Sequence, residues 1–432
     1  MIRLERDDEI WQVRRDGTIL EVKSGRTGAK ARTERKYHAN VESAEAALAE
    51  LVCAKREAGY TEAGARERPA ATGIAPLDDP QAVALRAAIA RDPYDASAYA
   101  VYGDWLQGHG DPRGELIALQ LAAEAITKPG DRRERALRAV GRYLEKHAAH
   151  LLGDLASEVS EIREPHFAPF YWRSGFVHRA SLYAVDDAAE VLARLLAHPS
   201  GALLAELDIR AGETHANRAI EVLARAAPPS LRVVSLRARG AVGNLDRLWP
   251  ALAPVRDLAI GARSFEVGVI ALPALRKLSL QTVQLSRATV AAIAAAPWPA
   301  LERLELRLCS RWESSPVELG DLAALVGRTA LPVLTALEIR GARFAGALVH
   351  VLAASPLAPR LEVLDLMAGR IAADDLVALA AARPAFPALR EVWLPIDELT
   401  PALQAILERT YGKVIREDAF SMDTFDLDVG AG

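Results

Sequence analysis

The chain has 432 residues, more than one hydrophobic core usually organises, so we expect at least two domains. Its 51% apolar and 25% charged residues are typical of globular proteins and exclude a chain that is disordered throughout. A net charge of −4 excludes a generally basic surface, so a contact with nucleic acid would have to be local.

The first predicted elements are two strands joined by a tight turn. Trp11 and Val13 alternate with polar residues, Asp16-Gly17 follows, and a second strand is predicted over 19–24. Asp-Gly favours a hairpin because its turn needs a positive φ, which glycine adopts without strain. A third strand in RTERKYHA and a helix over 41–58 complete a small α+β domain at residues 1–62. The apolar face of that helix consists of Ala44, Ala47, Leu48, Leu51 and Val52.

A basic run, VKSGRTGAKARTERK at residues 22–36, lies in this predicted domain. It has six Lys or Arg and one acid, Glu34. One interpretation is the solvated face of a hairpin tip, which needs no ligand to explain its charge. The alternative is a nucleic-acid contact, because each phosphate that is neutralised adds affinity. The candidate residues for that contact are Lys23, Arg26, Lys30, Arg32 and Lys36.

Four features of residues 1–62 occur together: Trp11, 22–28 (VKSGRTG), Tyr37 and 55–60 (KREAGY). With them, this segment resembles a WGR domain, a module of poly(ADP-ribose) polymerases and of bacterial proteins similar to molybdate metabolism regulators. Ser24 stands where the family has its motif Trp, while Gly25 and Arg26 remain. In the polymerases the module contacts DNA and neighbouring domains, so the resemblance implies a contact of that kind.

A linker and a helical segment are predicted next. Residues 63–79 are rich in Ala, Gly and Pro, which is typical of a linker. Residues 80–156 are predicted to be helical, with a fourth helix over 132–152. Asp side chains cap the free amides of a first turn, and Pro at the first helical position has no amide to lose. The predicted starts are Asp79-Pro80, Asp95 and Asp111-Pro112.

The helical segment also resembles a known family. YGDWL at 102–106 and GDPRGELI at 110–117 resemble the bacterial repeat-companion domain, which commonly precedes leucine-rich repeats in myxobacteria and planctomycetes. WRSGFVHRASL, at 172–182, fits these proteins as the lead-in to the first repeat. The family has no established activity, so the resemblance implies a position beside repeats and no reaction. Four residues of the motif could form a polar site, but we favour structural roles for them; they are Gly110, Asp111, Arg113 and Glu115.

Residues 157–416 repeat an L-x-x-L-x-L pattern. Its copies begin at Leu204, Leu231, Val255, Leu275, Leu301, Leu334, Leu361 and Leu389, with Val177 fitting one step earlier. Regular spacing with helical stretches between the copies predicts a solenoid with one strand and one helix per turn. The pattern resembles that of leucine-rich repeats, and the resemblance implies an α/β fold class, a ribonuclease-inhibitor-like solenoid with an amino-terminal helical cap. The Asn or Cys that usually follows each strand is missing, which predicts an irregular arc.

Alternate strand positions of the repeats are predicted to form an exposed, concave face. There, a column of arginines runs beside a column of acids. One interpretation is a ladder of charges that neutralise each other. The other is a mixed-charge surface for a protein partner, with Trp393 as an aromatic anchor. The candidate residues are Asp208, Arg210, Arg237, Glu305, Arg307, Glu338, Arg340, Asp365 and Trp393.

Motifs for catalysis or cofactor binding are not found. The sequence has no phosphate-binding glycine loop, no nucleophile elbow and no HExxH, so we expect no enzyme and no cofactor. His147 and His150 are one helical turn apart but lack a third metal ligand, and we expect surface histidines. Cys53 and Cys309 form no disulfide framework. Without an apolar signal core or a membrane span, we expect a cytoplasmic location and no membrane contact.

The leading functional prediction is a non-enzymatic adaptor or recognition subunit that binds a protein partner, encoded nearby, through the concave face. The alternative is a nucleic-acid-binding regulator that acts through the basic hairpin. The tail at 417–432 has five acids and no base, with apolar residues between them. It is predicted either to fold on a partner or to cover the last repeat.

Overall fold

The computed structural model describes most of the chain. The described residues are 2–6, 9–16, 18–26, 32–39, 41–62, 78–156, 169–183, 187–308, 315–328, 331–395 and 399–417. Lys30, Cys309, residues 63–77 of the predicted linker and residues 418–432 of the predicted tail lie outside them. The chain divides into two compact units, residues 1–74 and 75–432. Both contain helices and strands, so the predicted mixed α/β fold is confirmed.

The first unit is an antiparallel sheet with one helix. Its described elements are β1 (Ile2–Arg6), β2 (Glu9–Asp16), β3 (Ile19–Arg26), β4 (Arg32–Tyr37), α1 (Val41–Glu57) and β5 (Thr61–Glu62). The strands lie in the order β4-β3-β2-β1-β5. The predicted apolar face of α1 covers one side of the sheet, where Leu48, Leu51 and Val52 pack with Trp11 and Val13.

The hairpin of β2 and β3 is longer than the sequence suggested. The sequence predicts that the second strand ends at Ser24. In the structure Ile10 pairs with Gly25, and β3 continues to Arg26. The extension follows from the length of β2, which begins at Glu9 and therefore offers backbone partners to both residues.

Helices occupy the start of the second unit. In the range 78–156 they are α2 (Pro80–Arg91), α3 (Ala96–Gly108), α4 (Pro112–Glu124), α5 (Asp131–Lys146) and α6 (Ala148–Leu152). The predicted caps are present, with Asp79, Asp95 and Asp111 each accepting a first-turn amide hydrogen at 2.7–2.9 Å. The predicted fourth helix is wrong in one respect, because it breaks at His147 into α5 and α6. The break places Leu151 in the helical core.

The L-x-x-L-x-L copies form one large sheet, which we call the repeat sheet. Its described strands are β6 (Phe170–Arg173), β7 (Phe176–Leu182), β8 (Glu206–Ala211), β9 (Val233–Ala238), β11 (Asp257–Ala262), β13 (Lys277–Thr282), β14 (Arg303–Arg307), β15 (Ala336–Arg340), β16 (Val363–Asp365), β17 (Glu391–Pro395) and β18 (Lys413–Glu417). They lie side by side in chain order, and all neighbours from β7 to β18 are parallel. Strand β18 was not predicted.

The register of the repeat sheet matches the sequence alignment. The second apolar position of successive copies is paired across the strands, in the order Ala180, Leu207, Val234, Leu258, Leu278, Leu304, Leu337, Leu364 and Val392. The buried leucines of the copies belong to one core that runs along the sheet. A sequence repeat therefore corresponds to a physical repeat.

Helices cover the core side of most repeats. They are α7 (Ala188–Ala197), α8 (Glu213–Ala226), α9 (Arg287–Ala295), α10 (Leu319–Val326), α11 (Ala345–Ala353), α12 (Ala373–Ala381) and α13 (Pro401–Tyr411). The prediction of one helix per repeat is wrong for the copies at Leu231 and Val255. These copies have a 3-10 helix (Asp246–Leu252) and two short strands, β10 (Ala241–Asn244) and β12 (Ser264–Glu266). They are the shortest copies, and their connections have no room for an α-helix with its turns.

Backbone hydrogen bonds link successive repeats where each strand begins. The Arg232 carbonyl accepts from the amides of Arg256 and Asp257 at 2.8 and 3.0 Å. The Arg276 carbonyl accepts in the same way from Glu302 and Arg303 at 2.8 and 2.9 Å. These backbone hydrogen bonds join successive repeats without a contribution from a side-chain amide. The repeats can therefore stack although the usual Asn is missing. Among the described residues, no helix combines the length and apolarity needed to cross a membrane.

Candidate interaction face of the repeat sheet

The repeat sheet has a core side and an opposite face that carries alternate side chains. Leu278 and Leu280 are buried, whereas Lys277, Ser279 and Gln281 beside them reach solvent. Strands in register place equal positions of neighbouring repeats about 4.8 Å apart, so these side chains form continuous rows. The nine residues predicted to bind a partner all lie in the rows of this face.

The carboxyl-terminal half of the face holds a cluster of four charged side chains, Glu305, Glu338, Arg340 and Asp365, which we call the Arg340 network. Arg340 donates to Asp365 through Nε and Nη2, with both atoms reaching Oδ2 at 2.9 and 2.7 Å. Its Nη2 also donates to Glu338 Oε2 at 3.1 Å. Its Nη1 lies 3.5 Å from Glu305 Oε1. One guanidinium thus faces three carboxylates from three adjacent strands.

Further polar groups surround the Arg340 network. Ser279 Oγ and Gln281 Nε2 donate to the two oxygens of Glu305 at 2.8 and 3.2 Å. The Met367 amide donates to Asp365 Oδ1 at 2.8 Å. Arg303 forms an ion pair with Glu338 from the neighbouring strand. Each carboxylate therefore has a second partner besides Arg340.

Burial controls the electrostatics of the network. The side chains of Glu338 and Asp365 are 2% and 1% exposed, and that of Arg340 is 11% exposed. Burial raises the pKa of Glu338 and of Asp365, and the attraction of Arg340 opposes it only in part. Burial alone would lower the pKa of Arg340, but the charges of Asp365 and Glu305 outweigh it and raise that pKa. The charges of the network are thus paired with one another, as the ladder interpretation requires, and Glu338 and Asp365 offer little surface to a partner.

Trp393 continues the row beyond Asp365, with which it is paired across the strands. Its indole Nε1 donates to Glu391 Oε1 at 2.8 Å. Lys413 Nζ lies 3.1 Å from the same Glu391 oxygen and 5.8 Å from the centre of the Trp393 ring. The ring is partly exposed and held on its polar side, which suits an aromatic contact.

The amino-terminal half of the face is built differently. Arg210 is 53% exposed at the side chain, lies 3.8 Å from Asp208, and stacks its guanidinium 5.5 Å from the Tyr183 ring. Arg237 is paired with Arg210 on the next strand and is partly buried, as is Arg307 further along the face. Small side chains continue the row of Asp208; they are Ser235, Ala259 and Ser279.

A polar cluster at the amino-terminal end of the face was missed by sequence reasoning. The Tyr94 hydroxyl, from the turn between α2 and α3, donates to Glu206 Oε1 at 3.2 Å. His178 Nε2 lies 3.8 Å from the same oxygen, and the His178 and Tyr94 rings meet edge to face. Burial raises the pKa of Tyr94 to about 12 and lowers the pKa of His178. The cluster joins residues far apart in sequence, so no local spacing signals it.

The polar residues of GDPRGELI have packing roles. Asp111 caps α4 and binds the buried Arg113 side chain, with Arg113 Nε donating to Asp111 Oδ1 at 2.9 Å. Gly175, from the WRSGF segment, has a positive φ and donates its amide to Gln120 Oε1 at 2.7 Å. A Cβ at Gly175 would lie 2.5 Å from Ile117 Cγ1. The two motifs therefore fit against each other, which explains why the sequence needs a glycine there.

The two histidines of the HAAH segment have separate contacts. His147 stacks on Tyr143 with ring centres 4.3 Å apart. His150 Nε2 lies 3.5 Å from Asp111 Oδ1. Within the described part of the chain, no group of three His, Cys, Asp or Glu side chains could hold a metal ion.

Three of the predicted basic residues of the first unit, Lys23, Arg32 and Lys36, lie in described strands and do not share one face. Lys23 pairs with Thr33, whereas Arg32 and Lys36 pair with Ser24 and Leu20. Side chains alternate along a strand, so Lys23 lies on one face of the sheet and the other two on the opposite face. Arg26 is the last residue of β3, and Lys30 lies outside the described residues.

Acidic residues also offset the charge of this strand pair. Glu21 Oε2 accepts from Arg35 Nε at 2.9 Å, and this hydrogen bond lowers the pKa of Glu21. Lys23 Nζ lies 3.5 Å from Glu21 Oε1. Part of the basic run is therefore engaged within the sheet, as expected of a solvated hairpin.

No family model matches the sequence, and no curated protein matches it. Among solved structures, the chain is similar to a Bacteroides fragilis protein with a TM-score of 0.45 and 15% identity, over 96% of this chain and 95% of that one. It is also similar to the leucine-rich repeat-containing protein LegL7 from Legionella pneumophila, with a TM-score of 0.32 and 16% identity. That match covers 53% of this chain and 70% of LegL7. With likenesses this distant, the fold assignment rests on the strand register of the chain itself.

Proposed function

We propose that the chain is a non-enzymatic protein-binding subunit whose partner contacts the exposed face of the repeat sheet. The observation that carries this proposal is the alignment of side chains into continuous rows across the strands of the face. Eleven described strands, ten of them parallel, align polar side chains in register over a long surface, and Arg210 and Trp393 reach solvent in two different strands of it. Arginine and tryptophan are the residue types that most often dominate protein interfaces.

The surroundings of this face support a repeat-protein scaffold. We propose that the repeats form a leucine-rich repeat solenoid and that the helices between residues 80 and 152 are its amino-terminal cap. Tyr99, Tyr102 and Ile117 of these helices share a core with Phe176 and Leu203 of the first repeats. A terminal repeat needs such a cover because its apolar side would otherwise face water.

The cover is also tied to the repeats by hydrogen bonds. Arg232, which immediately precedes β9, is buried, and its guanidinium donates to the carbonyls of Ala90 and Arg91 at the end of α2. These carbonyls are the groups that a helix end leaves without internal partners. The helices and the repeats are thus one structural unit, which supports a role in holding the binding face rather than a separate reaction.

A nucleic-acid contact through the first unit is the less favoured function. Among its described basic residues, Lys23 lies on one face of the sheet and Arg32 and Lys36 on the other, so these three do not form one continuous positive surface for a phosphate backbone. The WGR-like identity of this unit and its role remain proposals. A low-salt shift of nicked DNA that the Lys23→Ala/Arg32→Ala variant abolishes would reverse this preference.

The protein-binding proposal is tested by affinity capture from the native host with matched variants of the full chain. Arg210→Glu and Trp393→Ala alter the face, whereas Arg225→Glu alters an exposed arginine on α8. We expect each face variant to lower the affinity for the captured partner by about tenfold or more, as loss of an interface hot spot does. Equal recovery by both face variants and Arg225→Glu would show that the face is not the binding surface.

A further inference from the structure

Four exposed arginines follow strands of the repeat sheet at its carboxyl-end edge. They are Arg239, Arg263, Arg343 and Arg370, located after β9, β11, β15 and β16. Within the part of the chain that the structure describes, their side chains have no hydrogen bond or ion pair. These arginines lie outside the rows of the face described above and have no role in its contacts.

The four arginines form two neighbouring pairs. The Arg370 amide donates to the Ala342 carbonyl at 2.9 Å, which places Arg370 beside Arg343. The Arg263 amide donates to the Gly240 carbonyl at 3.0 Å, which places Arg263 beside Arg239. Each pair concentrates two positive charges at the same edge of the sheet.

Carboxylates near the Arg343–Arg370 pair are mostly engaged elsewhere. Asp365 is held by the Arg340 network. Asp375 accepts the Ala372 amide hydrogen at 3.1 Å and lies 3.4 Å from His350. Asp374 is exposed. Among the described residues neither guanidinium of the pair has a carboxylate partner, so both are available to an acidic group.

The chain supplies acidic groups close to this edge. Strand β18 is parallel to β17 and ends at Glu417, so the chain leaves the sheet at the same edge where the arginines lie. Only β17 separates β18 from β16, which corresponds to about 10 Å at ordinary strand spacing. Residues 418–432 carry four aspartates and no Lys or Arg. Fifteen residues can span up to about 50 Å when extended, which is ample for this distance.

We propose that the acidic segment at residues 418–432 docks on Arg343 and Arg370 at the carboxyl-end edge of the repeat sheet. Its aspartates pair with the two guanidiniums, whose planar donors suit carboxylates. The Arg239–Arg263 pair lies six to seven strands from β18, about 30 Å away, and is the more distant alternative. The docked segment would cover the edge beside Asp365 and Trp393. This inference does not depend on the proposed partner.

Chemical cross-linking of the full chain tests the proposal. In the Arg343→Lys/Arg370→Lys variant, a carbodiimide activates a carboxylate, and an introduced amine displaces the activating group as a urea to form an amide. Mass spectrometry then identifies which peptides are joined. The matched control is Arg239→Lys/Arg263→Lys, which places the same amines at the same edge. We expect roughly fivefold or more tail cross-links in the first variant, and a loss of this excess at about 0.5 M salt.

Equal cross-linking of the tail in the two variants would overturn the proposal. A second measurement avoids introduced amines and uses Arg343→Glu/Arg370→Glu in the full chain. Repulsion should release the segment, so chymotrypsin should cut after Phe420 and Phe425 several-fold faster than in wild type. The Arg239→Glu/Arg263→Glu control should be cut at the wild-type rate. Unchanged cleavage in the first variant, with its circular dichroism unaltered, would also reject the docking.

Discussion

The two halves of the exposed face carry charged side chains at equivalent positions of their repeats, yet these side chains differ in burial and in pairing. In the carboxyl-terminal half, Arg340 is enclosed by Glu305, Glu338 and Asp365 and is 11% exposed. In the amino-terminal half, Arg210 is 53% exposed and lies 3.8 Å from the Asp208 carboxylate. The difference teaches that a charged column in a repeat sequence does not define a binding surface until the depth of each side chain is known.

The largest expected change in stability comes from comparing the removal of one arginine from each half. Arg340→Met leaves three carboxylates facing one another, two of them buried, while Arg303 stays paired with Glu338. Breaking a buried charge cluster in this way costs about 3–5 kcal/mol of unfolding free energy. Arg210→Met should cost less than about 1 kcal/mol because its ion pair is exposed to solvent. Urea denaturation of both variants measures the difference.

A similar small cost for both substitutions would contradict the distinction between the halves. The Arg340→Met/Glu338→Leu/Asp365→Leu variant serves as the internal control. It removes the two buried carboxylates together with the arginine, and apolar replacement of a buried ion cluster is often neutral. Recovery of most of the lost stability would assign the cost to unpaired charge instead of lost packing.

The sequence predicted the repeats because their physics is local. An apolar side chain at fixed strand positions must face the core, so the pattern that placed Leu278 also placed Leu304 opposite it. The helix caps at Asp79, Asp95 and Asp111 were predictable for the same reason, since a cap involves neighbouring residues. The absent helices of the two short repeats could have been predicted from their length alone.

The candidate site was less predictable because it depends on distances between repeats. The sequence placed Arg210 and Arg340 in one column but did not show that β14, β15 and β16 would enclose only the second. The cluster of Tyr94, His178 and Glu206 joins the helical segment to the repeats, and its members are up to 112 residues apart. Such contacts arise only after the chain has folded.

The second prediction uses pH to separate the halves. Burial lowers the pKa of His178, with Arg173 adding to the shift and Glu206 and Glu124 opposing it. Below the ordinary histidine value of about 6.5, the unfolded chain therefore takes up a proton that folded His178 does not. Stability of the amino-terminal half should fall as the pH decreases. One such group contributes at most about 1.4 kcal/mol per pH unit.

Hydrogen exchange of peptides from β7 and β8 at pH 7 and pH 5.5 measures this effect locally. His178→Gln should reduce the loss of protection on acidification. The matched control is His350→Gln, whose ring is largely exposed on α11. The interpretation fails if the His178 variant loses as much protection as wild type, or if strands β15 and β16 respond more strongly than β7 and β8.

The smallest expected effect has the opposite sign and lies in the carboxyl-terminal half. Burial raises the pKa of Glu338, with Glu305 and Asp365 adding to the shift and Arg303 and Arg340 opposing it. Above the ordinary glutamate value of about 4.3, folded Glu338 retains a proton that the unfolded chain has released, so its contribution to stability falls as the pH rises. Glu338→Gln removes this titration. It also leaves Arg340 with two carboxylate partners, Glu305 and Asp365.

Between pH 4 and 7 the unfolding free energy of the variant should therefore rise relative to that of wild type, by about 1 kcal/mol or less, since a single group is involved. Glu302→Gln, on the exposed rim beside Arg276, should show no such trend and stay within about 0.5 kcal/mol of wild type. If Glu338→Gln instead loses stability as the pH rises, the attraction of Arg303 and Arg340 exceeds the cost of burial. The network would then stabilise the fold. The two halves would differ more in how strongly their charges pair than in how deeply their side chains are buried.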